Sequence, residues 1–126
     1  MTALGAPRIL VVDDDREFRR SLAKIFRKAG FDIQVAANGN QAAALLNKAY
    51  YDLLVLDLEI PGKSGLELLR EVRLKARDTT VIVVTAHGEA NRRDETLAAG
   101  ASEYLNKPVK RHTILEAAQR ALAQRH

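Results

Sequence analysis

Two periodicities alternate along the chain. Short runs at Ile9–Val12, Ile33–Ala36, Leu53–Leu56, Val81–Val84 and Glu103–Leu105 read as strands. The three richest are near-continuous in Val, Ile and Leu, as parallel strands covered on both faces are. Between the strands the apolar residues fall at helical spacing. Phe18, Leu22, Ile25, Phe26 and Ala29 lie at i, i+4, i+7, i+8 and i+11, one stripe of an amphipathic helix. Leu66, Leu69 and Val72 form a second stripe, and Ile114, Leu115, Ala118, Ala121 and Leu122 form another. The alanine-rich segments Ala42–Leu46 and Arg92–Ala99 complete the helical set.

Gly30 and Gly100 stand where C-terminal caps of the first and fourth helices are expected. Pro61-Gly62 breaks the chain after the third strand, and Pro108 follows the last one. The pattern predicts five strand–helix repeats of about 20 to 25 residues. Right-handed crossovers then give an α/β, three-layer, doubly wound (βα)5 fold around a five-stranded parallel sheet. No linker or low-complexity segment divides residues 1–126, which read as a single domain with residues 1–7 as a mobile tail.

Composition bounds the chemistry. A chain of 126 residues is one ordinary domain and buries roughly two-thirds of its surface on folding. Cysteine is absent, which excludes disulfides, thiolate metal sites and a catalytic thiol. His87, His112 and His126 are scattered without metal-ligand spacing. No apolar run approaches the roughly 18 residues of a membrane-spanning helix, and no secretory signal pattern opens the chain. A cytoplasmic protein with no membrane partner is the expectation. The net charge of +4 would permit an anionic partner. The basic residues are nevertheless spread out, and the richest stretch, Arg16 to Lys28, interleaves them with apolar residues at helical spacing. That arrangement reads as a solvated face or protein-docking surface rather than a nucleic-acid site.

In an open α/β sheet, ligands bind outside the carboxyl ends of the strands. The first strand ends in Asp13-Asp14-Asp15, the third in Asp57, the fourth in Thr85-Ala86 and the fifth in Asn106-Lys107-Pro108. Carboxylates crowded on one rim repel one another unless a cation or a proton relieves the charge. A hard divalent ion, Mg²⁺ or in its place Mn²⁺, is the natural relief. Lys107 supplies a compact point charge suited to a phosphoryl oxygen, and Thr85 a hydroxyl donor. The set suits phosphoryl transfer, with Asp57 as the nucleophile forming an aspartyl phosphate and the Ala86 amide helping to hold its oxygens.

Taken in order and spacing, Val-Val-Asp13-Asp14-Asp, Leu-Asp57-Leu-Glu-Ile-Pro61-Gly-Lys-Ser-Gly65, Val-Thr85-Ala86 and Gly-Ala-Ser-Glu-Tyr104-Leu-Asn-Lys107-Pro108 resemble a response-regulator receiver domain from Arg8 to about Leu122. The resemblance implies a flavodoxin-like sheet of order 2-1-3-4-5 and a phosphoryl group accepted on Asp57 from a histidine kinase or histidine phosphotransfer protein. It implies that Asp14, Asp57 and the backbone carbonyl of Glu59 ligate the ion directly, and that Asp13 acts through water. It also implies that Thr85 and Lys107 contact the phosphoryl group and that the bond before Pro108 is cis. Thr85 would shift and Tyr104 turn inward on phosphorylation. The surface of the fourth helix, fifth strand and fifth helix would change for a downstream protein, an output domain or a second copy in a homodimer. Such a domain is no enzyme beyond catalysing its own phosphorylation and dephosphorylation.

Blander roles compete at several positions. Asp15 reads as a helix cap, and Asp14 with Glu17 resembles a capping box. Glu59, two after Asp57, and His87, two after Thr85, depart from the commonest family pattern and are candidates for tuning phosphoryl lifetime. Val109 stands where phenylalanine is frequent in the family. Two other functions compete with a phosphorylation switch: a receiver-like interaction module independent of phosphate, and an enzyme on the same fold. A flavin site would want neutral groups where Asp13 to Asp15 stand, and a phosphatase would want a substrate cap that no segment supplies.

Overall fold

The computed structural model describes residues 5–76, 78–86 and 90–124. Strands β1 (Arg8–Val12), β2 (Asp32–Ala36), β3 (Leu53–Leu56), β4 (Thr80–Thr85) and β5 (Glu103–Asn106) alternate with helices α1 (Arg16–Lys28), α2 (Gly39–Lys48), α3 (Gly65–Lys75), α4 (Ala90–Ala98) and α5 (Arg111–Gln124). The strands form one parallel sheet in the order β2-β1-β3-β4-β5. Both alanine-rich segments are helices, as expected. Of the expected tail, residues 1–4 lie outside the described residues, and the Pro7 carbonyl accepts the Asp32 amide at 3.0 Å.

The near-continuous strands follow from a sheet covered twice. Successive side chains of a strand point to opposite faces, so β1 sends Ile9 and Val11 one way and Leu10 and Val12 the other. Ile9 and Val11 join Val55, Ile82 and Val84 under Leu22, Ala23 and Phe26 of α1 and Ile114, Ala117, Ala118 and Ala121 of α5. Leu10 and Val12 join Leu54, Leu56, Val81 and Val83 under Ala42 of α2 and Leu68, Leu69 and Val72 of α3. On α3 the buried centre is Leu68 with Leu69 and Val72, while Leu66 is half-buried. The buried face is thus set at i, i+1 and i+4 from Leu68.

Local signals set the helix ends. Asp15 caps α1, its carboxylate accepting the amides of Glu17 and Phe18 at 3.0 and 3.3 Å. Asn38 and Ser64 cap α2 and α3 through the Gln41 and Glu67 amides. After α1, Gly30 has φ of +94° while Phe31 N–H reaches back to Phe26 C=O, and after α4, Gly100 has φ of +113° while Ala101 N–H reaches Thr96 C=O. These are the left-handed caps expected at both glycines.

Candidate functional site

Sheet register assembles the site. Val12 pairs with Leu56, and the Asp57 amide donates to the Val12 carbonyl at 3.0 Å, so Asp13 and Asp57 leave the sheet side by side. Thr85 pairs with Asn106, and the Lys107 amide donates to the Thr85 carbonyl at 2.9 Å, which brings in the last two strand ends. Gly65 lets α3 begin against this loop: a Cβ there would lie 2.6 Å from Leu58 Cα and 2.8 Å from the Asp57 carbonyl oxygen.

Asp13 and Asp57 are buried, and Asp14 is exposed. One carboxylate oxygen from each of the three lies within 4.8 Å of the others. The Lys107 ammonium bridges two of them, donating to Asp13 Oδ2 at 2.7 Å and Asp57 Oδ2 at 3.1 Å. Backbone amides take the other oxygens: Asp15 N–H donates to Asp13 Oδ1 at 2.8 Å and Glu59 N–H to Asp57 Oδ1 at 2.9 Å. Arg19 of α1 donates to the Asp13 carbonyl at 2.7 Å, and the Phe18 ring lies 4.3 Å from Lys107 Nζ in a cation–π contact.

The charge balance is unequal, with three carboxylates to one ammonium. Burial is the main cause that raises the Asp13 pKa above its ordinary value, and the neighbouring Asp57 charge adds to it against the bonds from Lys107 and Asp15. For Lys107 burial acts downward, but the hydrogen bonds and charges of Asp13 and Asp57 outweigh it and the net shift is upward. The two directions agree physically: Lys107 has two carboxylates to hold its charge, while Asp13 shares that one lysine.

Thr85 is fully buried at the end of β4, and its hydroxyl has no hydrogen-bond partner among the described residues. An unmade buried hydrogen bond costs about 1–3 kcal/mol, so such a donor calls for an explanation. Together, the surplus of negative charge, an all-oxygen donor set and an unused hydroxyl fit a hard divalent cation with a phosphoryl-type oxygen beside it.

The remaining expected residues fall as follows. Ala86 is exposed at the rim. The Lys107-Pro108 peptide is cis. Tyr104 is half-buried and packs against the α2–α3 side of the core. Glu59 is exposed and ion-paired to Arg92 of α4 at 2.8 Å. His87 lies outside the described residues. The Asp15 carboxylate is a cap and is not one of the three clustered carboxylates, to which Asp15 contributes only its amide. Sequence reasoning missed Phe18 and Arg19 as supports of the site and Arg92 as the partner of Glu59. Only Phe18 carried a signal, since it opens the apolar stripe of α1 at the site end.

A family model described as the response regulator receiver domain matches residues 9–119. The chain is 37% identical over 115 residues to protein PetR of Rhodobacter capsulatus, covering 91% of this chain and 48% of that protein. It is 39% identical over 115 residues to the transcriptional regulatory protein ResD of Bacillus subtilis, with the same 91% and 48% coverage. It thus spans about half the length of the curated relatives it matches. Among solved structures, a CheY-like response regulator receiver domain protein from Methanospirillum hungatei superposes with a TM-score of 0.91 at 28% identity, over 95% of this chain and 96% of that one. A chain of the CheX–CheY–BeF₃–Mg²⁺ complex from Borrelia burgdorferi gives 0.86 at 27% identity, over 90% and 87%.

Proposed function

This chain belongs to the response regulator receiver domain family of two-component signalling, and on that premise we propose that Asp57 is its phosphoryl acceptor. The observation that carries the proposal is the meeting of buried Asp57 with Asp13, Asp14 and Lys107, one strand from the Thr85 hydroxyl, which has no partner among the described residues. A phosphate-independent binding module is not favoured, because it gives that unequal charge and idle donor no purpose. The domain is a signalling module and not a classical enzyme.

In the proposed reaction an Asp57 carboxylate oxygen attacks the phosphorus of a phosphohistidine. The new P–O bond forms as the P–N bond breaks, and the imidazole leaves. Asp14, Asp57 and the Glu59 carbonyl would hold Mg²⁺, or Mn²⁺ in its place, with Asp13 acting through water. The ion would offset charge on the transferring group. Lys107, already 3.1 Å from an Asp57 oxygen, is placed to follow the negative charge as it moves onto the phosphoryl oxygens. Thr85 would supply its idle hydroxyl to one of those oxygens and the Ala86 amide would hold another. Movement of Thr85 towards them would open space that Tyr104 fills, changing the α4–β5–α5 surface seen by a downstream protein, an output domain or a second copy. The donor is a histidine kinase or histidine phosphotransfer protein, and a cytoplasmic setting belongs to the same reading. No helix among the described residues is long and apolar enough to cross a membrane.

The donor-docking surface in this reading is α1. Arg16, Arg19, Arg20, Lys24, Arg27 and Lys28 line one groove with Val35, and none of them makes a salt bridge among the described residues. An acidic face on the donor would complement it.

Beryllofluoride tests the switch without a kinase. With Mg²⁺ present, the amide signals of Thr85, Tyr104 and Lys107 are expected to move in the wild type and to stay in place in Asp57→Asn or with chelator. Unmoved signals in the wild type would contradict the proposal.

A further inference from the structure

Glu59 belongs to the site by its main chain and not by its side chain. Its amide donates to Asp57 Oδ1 at 2.9 Å, yet its carboxylate is held by Arg92 Nη2 at 2.8 Å. Arg92 stands in the first turn of α4, and its carbonyl accepts the hydroxyl of fully buried Thr96, one turn on in the same helix, at 2.6 Å. The pair links the segment two residues past Asp57 to the helix that starts after β4.

We propose that Arg92 is a positioning residue that acts through Glu59: it draws that carboxylate away from the acidic cluster and so sets how tightly the cluster takes a divalent cation. The inference rests on the reading of Asp13, Asp14 and Asp57 as a metal cluster. Those three carboxylates already outnumber the Lys107 ammonium, so a fourth turned inward would be repelled while the site is empty and attracted once a dication is present. Arg92 biases this choice outward.

The bias is adjustable. Glu59 and Arg92 side chains are 47% and 38% exposed, and exposed ion pairs hold their geometry only modestly. Coupling between the pair and the cation is therefore reciprocal. If breaking the pair tightens the ion, then binding the ion loosens the pair by the same factor. A cation arriving at the cluster thus slackens the hold on the first turn of α4, which gives the acidic pocket an electrostatic line to that helix separate from Thr85 and Tyr104.

The experiment is a calorimetric Mg²⁺ titration of the wild type, Arg92→Gln, Glu59→Gln and the double variant at low ionic strength, with amide hydrogen exchange of α4 followed in parallel. Arg92→Gln is expected to tighten Mg²⁺ by about two- to fivefold, the range of an exposed pair. The same substitution made in Glu59→Gln is expected to change affinity much less, and Arg92→Lys to restore most of the wild-type value. Added salt shrinks the difference, and in the wild type Mg²⁺ speeds exchange of the amides of Asp94 to Leu97, which bond to the first-turn carbonyls of α4. A merely structural Arg92 would alter exchange but not an affinity difference that depends on Glu59. Wild-type Mg²⁺ binding with no tightening in Arg92→Gln, or equal tightening with and without Glu59, overturns this proposal alone. A wild type that binds no Mg²⁺, or Mg²⁺ binding left unaltered by Asp14→Asn, overturns the metal reading as well.

Discussion

Replacing Thr85 by valine should stabilise the resting domain while disabling it. The hydroxyl is fully buried and unpartnered among the described residues, so in the unphosphorylated protein it contributes a desolvation penalty of about 1–3 kcal/mol with no bond in return. Valine keeps the branched shape that a strand end favours and replaces the hydroxyl with a methyl group. We therefore expect Thr85→Val to raise unfolding free energy by about 1 kcal/mol, the low end of that range because small local shifts already soften the penalty. Unfolding entropy of about 2.1 cal/mol/K per residue over 126 residues is about 0.26 kcal/mol/K, so the expected rise in Tm is about 4 °C. The assay is thermal and urea denaturation in chelator, beside the rate of Asp57 phosphorylation by a small-molecule donor. A more stable variant with slower phosphorylation or a shorter-lived phosphorylated form is the expected pair of results, an instance of stability given up at a functional position. Loss of 1 kcal/mol or more would refute the reasoning, because the hydroxyl would then be satisfied in the resting state.

Three other outcomes follow from the same geometry. Burial first, and then the Asp57 charge, raises the Asp13 pKa, so between its unfolded value of 3.8 and its folded value the native state binds more protons than the unfolded one and stability falls as pH rises; Asp13→Asn should remove that fall in an acid-range urea series and be more stable than wild type at neutral pH, and an unchanged profile would contradict it. Gly65→Ala places a Cβ 2.6 Å from Leu58 Cα, so it should cost about 1–3 kcal/mol by overpacking and slow phosphorylation by displacing the acceptor loop, and wild-type melting would refute it. Charge reversal at Arg20 and Lys24, chosen because Arg19 also holds the Asp13 carbonyl, should slow transfer from a histidine donor while sparing a small-molecule donor, and equal slowing with both would point to damage at the site.

The fold was legible because each of its signals is local or periodic. Val81–Val84 reads as a strand covered twice because both faces of β4 are indeed packed, and Asp15, Gly30 and Gly100 mark helix ends by their own backbone chemistry. The acidic cluster was legible because parallel strands put their C-terminal residues on one rim, so Asp13 and Asp57 meet wherever Val12 and Leu56 are in register. Periodicity does not report how far a helix rolls: Leu69 and Val72 of the expected stripe are buried on α3, but Leu68 rather than Leu66 is buried with them. Nor does it report pairings between elements. The ring of Phe18 under Lys107 and the reach of Arg92 to Glu59 depend on where α1 and α4 lie over the sheet: spacing puts Phe18 on the apolar stripe of α1 but does not pair it with Lys107, and it carries no sign of the Arg92–Glu59 pair.

Metal-dependent acceptance of phosphate by Asp57 underlies the whole switch. Intact mass after incubation with phosphoramidate, with Mg²⁺ or with chelator, for the wild type and Asp57→Asn, tests it most directly. One phosphoryl group is expected on the wild type with Mg²⁺, and none with chelator or in the variant. No addition under any condition, or equal addition to Asp57→Asn, would contradict it.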